Sequence, residues 1–232
     1  MPYYGFYFDP TYLLVLIGVV LCMIASARVK TTYKKYEKVG SRSGYTADQV
    51  AYMILRNAGI TDVSIHHISG DLTDNYNPKE HTLNLSDSVY GSRSIAAIGV
   101  AAHECGHAIQ HANAYAPLTI RSAIIPAANI GSAISWPLIL IGLLIPRVDY
   151  LITLGIIVFS LVVVLQFVTL PVEFNASRRA MAILEGSGYL YPDELKGARS
   201  VLTAAAMTYV AAMVSASLQL LRLVLLFGNR RR

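Results

Sequence analysis

Residues 94–113, SIAAIGVAAHECGHAIQHAN, decide how this chain is read. The run is alanine-rich and largely apolar, and it predicts one long helix with His103 and His107 spaced i, i+4. A helix puts both imidazoles on one face, a turn apart. That separation suits two nitrogens holding one Zn²⁺ at ~2.0–2.1 Å. Glu104, next to the first of them, is angled towards a water on the metal rather than the metal itself. It can take that water's proton during attack on a peptide carbonyl. Gly106 leaves room for close packing or for substrate. HExxH alone arises by chance in helices whose histidines only satisfy local hydrogen bonds. An apolar helix carrying two imidazoles and a carboxylate has a polar cost that needs a reason.

A catalytic zinc usually takes three protein ligands and keeps one position open. His111, two turns from His103, is too far along the axis to join the same ion and reads as a helix-surface histidine. The metzincin pattern would need glycine and histidine where Gln110 and Asn113 stand. Glu173 is the best placed carboxylate. It is expected to open a helix directly after Pro171, sharing a face with Ala176, Ser177 and Ala180. An acid in a first helical turn could also serve only the helix dipole. The apolar stretch between the two ligand sets argues for the ligand role. It reads as a hairpin that returns the chain to the side it left.

Working outward, residues 11–27 (TYLLVLIGVVLCMIASA) are almost uncharged and near the ~17–25 residues of a bilayer-crossing helix. Arg28, Lys30, Lys34, Lys35, Lys38 and Arg42 follow. A cleavable signal peptide carries its charge before the apolar run. The expectation is therefore a retained anchor with residues 1–10 outside and Arg28 onward in the cytoplasm. Residues 28–122 form the expected cytoplasmic catalytic portion, with the HExxH helix at 94–113. Thr46 and Gln49 make a capping-box signature for a helix ending near Gly59. Asp62–Ile68 and His81–Leu85 alternate like strands around the turn-rich GDLTDNYNPKE. Residues 123–170 are the expected transmembrane hairpin, its first arm interrupted early by Pro126 and its linker at Pro146–Asp149. Residues 171–200 would then carry the third-ligand helix in the cytoplasm. The last apolar helix, in 201–232 with a basic tail, can pack on the catalytic unit, lie along the surface, or cross as a fourth span. A crossing would leave Arg230–Arg232 outside.

The fold class follows. It is a mainly α membrane protein of three or four hydrophobic helices, plus a small cytoplasmic α+β zincin-like unit with a short β-sheet. Composition agrees: 54% of the 232 residues are hydrophobic and 14% charged, against about 25% charged in ordinary soluble domains. The net charge of +5 sits mostly beside apolar runs, where it orients helices in a bilayer. No aromatic–basic interleaving accompanies it, so nucleic acid is not expected as a partner. Cys22 lies in an apolar run and Cys105 between the two histidines, so no disulfide is expected.

Four stretches together resemble one family: RVKTTYKKY after the anchor, YNPKEHTLNLSDSVY, SIAAIGVAAHECGHAIQHA and TLPVEFNASRRAMAIL. The chain is similar over nearly its whole length to the YugP-type bacterial membrane proteins described as neutral zinc metallopeptidases. The resemblance implies His103, His107 and Glu173 as ligands of one Zn²⁺ per chain and Glu104 as general base. It also implies a bacterial membrane protein; with the charges after the anchor and the returning hairpin, the expectation is a multi-pass protein of the cytoplasmic membrane with its active site facing the cytoplasm. EFNAS is further similar to the E-F-x-A-D stretch of heat-shock membrane proteases and CAAX prenyl proteases. There an aspartate supports a zinc-bound histidine; here Ser177 occupies that position, and Asn175 is an alternative support. For the oxyanion, Tyr209, Arg178 and His81 are candidates. HTLNLS is a candidate edge strand for pairing with an extended substrate. His66 and His67 point to opposite faces of a strand and read as surface residues.

The expected function is a membrane-embedded zinc endopeptidase acting on peptide or protein substrates, membrane proteins among them. Two alternatives stand beside it. A site-2-like intramembrane protease would need an aspartate ligand in an apolar LDG-like motif, whereas Asp71 and Asp74 lie in a polar turn. A zinc-binding scaffold or assembly subunit without activity would have no need of Glu104.

Overall fold

A computed structural model describes residues 9–228 of the chain. It is mainly helical, with a small sheet, in the order α1 (Tyr12–Glu37), α2 (Ala47–Asn57), β1 (Ser64–Ile68), β2 (Asn75–Asn77), β3 (Thr82–Ser86), α3 (Ile95–Ala112), α4 (Ala116–Leu144), α5 (Tyr150–Ser187) and α6 (Pro192–Phe227). Helices α1, α4, α5 and α6 are each long and apolar enough to cross a membrane. The chain divides into two compact units. One comprises the residues up to Ile24, Ile124–Gln166 and those from Ala211 on; the other comprises Ala25–Ala123 and Phe167–Val210.

In the first unit small residues set the helix spacing. A Cβ on Gly18 would stand 2.6 Å from Ser215 Oγ, and one on Gly155 2.8 Å from the Ser135 carbonyl. Close backbone approach of this kind is how apolar helices associate where lipid offers no hydrophobic drive. Arg222, near the end of α6, lies 4.2 Å from the Tyr12 ring and 3.8 Å from Asp9. The end of α6 thus lies beside the beginning of α1. Residues 1–8 and the Arg230–Arg232 cluster lie outside the described residues.

Two proline readings are corrected. Pro126 does not interrupt the first arm of the hairpin, because α4 runs unbroken through both Pro126 and Pro137. Pro171 does not precede a new helix; it lies inside the 38-residue α5. Each proline removes one backbone donor, a loss that long apolar helices tolerate when neighbouring groups re-satisfy the freed carbonyl. Glu173 is consequently a mid-helix residue, and a helix-dipole role for it falls away.

The second unit builds its core from α2, α3, β3 and the chain from Ala180 to Leu202, with Val50, Ile54, Leu83, Leu85 and Ile98 fully buried. Gln49 accepts a hydrogen bond from the Thr46 amide at 3.0 Å, and Gly59 reverses the chain with φ +74° after α2. Ser94 caps α3, its Oγ accepting from the Ala97 amide at 3.1 Å. The sheet order is β1-β3-β2, with β1 parallel and β2 antiparallel to β3. HTLNLS is therefore the central strand and not a free edge, since β3 is paired on both sides. The short β2 went unseen in the polar turn because side chains hold it. Asn84 Nδ2 donates to Asn75 Oδ1 at 3.0 Å, and Asp74 accepts from the Ser86 amide at 2.7 Å.

Candidate metal centre

Gly106 explains how the two ligand-bearing helices meet. A Cβ at this position would stand 2.7 Å from the Ala176 carbonyl oxygen and 3.2 Å from its Cα. Any side chain larger than hydrogen would push α3 off α5, so of the two roles open to this glycine the structure uses close packing.

That approach brings His103, His107 and Glu173 together, with one ligand atom of each within 4.8 Å of the others. Glu173 Oε2 lies 3.3 Å from His103 Nε2 and 3.6 Å from His107 Nε2. Ligands placed tetrahedrally at ~2.0–2.1 Å from zinc stand about 3.3 Å apart, so the spacing fits that ion. Oε2 is also buried without a hydrogen-bond partner. A buried carboxylate oxygen left bare costs free energy unless a cation meets it, and the donor set of two imidazoles and one carboxylate is that of a catalytic zinc site.

The outer nitrogens of both rings are held. Gln110, fully buried, donates through Nε2 to the Val172 carbonyl at 2.8 Å and to Asn175 Oδ1 at 3.0 Å. Its Oε1 is therefore the end facing His107 Nδ1 at 3.0 Å, which makes that nitrogen the N–H donor and leaves the Nε2 lone pair for a metal. Ser177 Oγ lies 3.1 Å from His103 Nδ1 and can act in the same way. Asn175 contacts neither ring; it accepts from Gln110 and from Arg179 Nε at 2.8 Å. Arg121 Nη1 is 3.3 Å from Glu173 Oε1, so the two carboxylate oxygens have different tasks: Oε1 faces a cation of the chain, and Oε2 faces the imidazoles.

Electrostatics follow from this crowding. Burial opposes charge on Glu173, yet the imidazoles of His103 and His107 beside it more than offset this and hold the carboxyl well below the usual range. Burial likewise opposes charge on His107, but the Glu173 contact and the Glu104 carboxylate raise its pKa overall.

Glu104 is 9% exposed. It lines a cleft of about 170 Å³ together with His103, Glu173, Ser177 and Tyr209, and no side-chain hydrogen bond engages it among the described residues. The Tyr209 hydroxyl lies near enough to interact with both Glu173 and Glu104. The other two oxyanion candidates are elsewhere. Arg178 does not line this cleft but a neighbouring groove between α5 and α6. His81 donates to Asp62 at 2.6 Å and packs edge-on against His111, which is itself bonded to the Tyr76 hydroxyl at 2.8 Å. His66 and His67 are held by Ser64 and Asp87, outside the cleft. Cys105 is buried with its thiol on the Ala51 carbonyl, burial pushing its pKa up, and both cysteines are free.

Two functional residues escaped the sequence reading. Gln110 figured there only as a departure from a glycine, although i+3 from His107 is where a helix would place a partner for that ring. Arg121 had a signal too: it is the one charged residue in the 29-residue apolar helix α4, and such a charge usually has a buried partner.

Four membrane-length helices thus accompany a cluster of two histidines and one glutamate that could hold a metal ion. Residues 11–228 match the model of the family described as "Putative neutral zinc metallopeptidase", and the chain belongs to that family. It is 45% identical over 207 residues to the "Putative membrane protease YugP" of Bacillus subtilis (strain 168), covering 89% of this chain and 92% of that protein. No solved structure matches the chain.

Proposed function

We propose that this protein is a zinc-dependent endopeptidase embedded in the bacterial cytoplasmic membrane, cleaving peptide or protein substrates, membrane proteins among them, at the cytoplasmic face. The observation that carries this is the pairing, in one cleft, of the bare Glu173 Oε2 beside two imidazole nitrogens with the unengaged Glu104 carboxylate. His103, His107 and Glu173 would hold one zinc per chain, which when bound supplies Lewis-acid polarisation of the scissile carbonyl and of the attacking water. Ser177 and Gln110 keep both rings turned with Nε2 inward. Glu104 takes the proton of the attacking water and returns it to the leaving amine. Tyr209 is positioned to donate a hydrogen bond to the oxygen that becomes negative during attack.

Orientation rests on charge: Arg28, Lys30, Lys34, Lys35 and Lys38 follow the apolar part of α1, which favours that end inside. The free Glu104 favours an enzyme over a scaffold, since a structural zinc site closes with four protein ligands and needs no base. An intramembrane site-2-like arrangement would take its third ligand from an aspartate, whereas the cluster here is completed by Glu173.

The test is zinc content and cleavage of an unstructured protein by detergent-purified wild type and Glu104→Gln. Wild type is expected to hold about one zinc and to cleave; Glu104→Gln should keep the metal and lose about 10²–10⁴-fold in rate. Equal rates in the two would end the peptidase reading.

A further inference from the structure

The cleft lined by His103, Glu104 and Glu173 is also lined by Tyr33, Leu72 and Asp74, outside the candidate ligand set. Its charged lining is one-sided: Asp74, Glu104 and Glu173 contribute carboxylates, and no lysine or arginine lines it. His103, Ser177, Tyr33 and Tyr209 add further polar groups, and Val29, Leu72, Val100, Val201 and Leu202 give apolar walls. Of the three carboxylates, Glu173 has Arg121 at 3.3 Å from its Oε1 as well as the two imidazoles beside its Oε2, whereas Asp74 faces the cleft with no cation beside it among the described residues.

Asp74 is held but not neutralised. Its Oδ1 accepts from the Ser86 amide at 2.7 Å and lies 3.0 Å from Ser86 Oγ, and its Oδ2 lies 2.9 Å from the same Oγ. One hydroxyl has a single proton to share between the two oxygens, so Oδ2 keeps at least one free lone pair. No ion pair reaches Asp74 among the described residues. Burial raises its pKa even against the Ser86 hydrogen bonds, as expected for a carboxylate lacking a cation. Tyr33, whose hydroxyl donates to the Ser88 carbonyl at 2.9 Å, reports the same field. Its pKa is pushed up to about 12 by burial first, with the Asp74, Glu37 and Asp71 carboxylates adding to it.

We propose that Asp74 is a specificity-determining residue that receives the cationic end of a lysine or arginine side chain next to the scissile bond, the aliphatic stem lying on the apolar walls. Such a side chain is the substrate group that matches both features: its methylenes bury against apolar surface while its head reaches a carboxylate. This inference rests on the peptidase reading and adds a substrate class to it.

Asp74→Asn is a near-isosteric probe. The amide oxygen can still accept from the Ser86 amide and its nitrogen can donate to Ser86 Oγ, so the substitution removes charge and leaves β2 tied to β3. The experiment uses zinc-loaded full-length protein and short unstructured peptides differing only in lysine, arginine, norleucine or glutamate, moved through each position. Cleavage is read by mass spectrometry, and binding of the same peptides to Glu104→Gln, with and without Asp74→Asn, by fluorescence anisotropy. The expected result is a preference of about tenfold or more for lysine and arginine over norleucine at one fixed position. It should collapse towards unity with Asp74→Asn while zinc content is retained. Cleavage by wild type without any basic preference overturns the inference and leaves the peptidase standing. A preference that survives Asp74→Asn also overturns it. If no peptide is bound or cut by the zinc-loaded protein, both readings fall together.

Discussion

Helices α3 and α5 both carry residues of the candidate metal cluster, and they bring them there by different routes. Within α3 the pair His103 and His107 is made by helical periodicity, and one ring is even supported from the same helix, by Gln110. In α5, Glu173 gains meaning only through contact: with the imidazoles across the Gly106–Ala176 approach and with Arg121 on α4. His103 depends on α5 as well, through Ser177. A short motif can therefore arrange two members of the candidate cluster locally, whereas the third member and half of the support require two helices in near-backbone contact.

This contrast can be broken or sharpened by substitution. The largest effect is expected from Glu173→Ala, which removes the only carboxylate of the cluster. Metal analysis should find no zinc at equimolar supply, and full retention would show that α5 is dispensable for binding. Gly106→Ala comes next, because the new methyl would meet the Ala176 backbone. Thermal unfolding should report a loss of about 1–3 kcal/mol, together with weakened zinc retention. Unchanged stability would mean that the helices can separate without cost.

Smaller effects should sort the supporting residues. Arg121→Ala leaves Glu173 Oε1 without its cation, and a chelator competition should show zinc affinity falling by about tenfold, within the range seen for residues behind a ligand. Gln110→Ala should cost more than Ser177→Ala within a span of about 10–100-fold. Gln110 also ties α3 to the Val172 carbonyl and Asn175, while Ser177 makes a single contact with a ring. The reverse order would place the weight of ring orientation on α5 rather than on α3 itself.

Much of the centre was legible because periodic spacing carries it. HECGH on an apolar helix pointed to the two imidazoles and a base, and the capping residues Ser94 and Thr46 marked helix starts within a residue. The four apolar segments declared themselves by length. Less was legible where long-range contact overrides local signals. Pro126 and Pro171 looked like breaks, yet α4 and α5 pass through them. The strand HTLNLS looked like an edge, yet the unexpected β2 covers one side of it. Asp74 looked like a turn residue, yet it lines the cleft of His103, Glu104 and Glu173.

By itself, then, the sequence determined the membrane-length helices, the helix that presents His103, Glu104 and His107, and the family to which the chain belongs. These properties depend on hydropathy and on residues a few positions apart, where helix geometry alone dictates neighbourhood. Only the tertiary structure decided that Gly106 serves α3–α5 contact, that Gln110 and Ser177 hold the two rings, that Arg121 takes one oxygen of Glu173, and that Asp74 shares their cleft. Gln110 stands only 3 residues from His107 on the same helix, but Ser177 lies 74 residues from His103, and a separation of that kind is bridged by packing rather than by any local pattern.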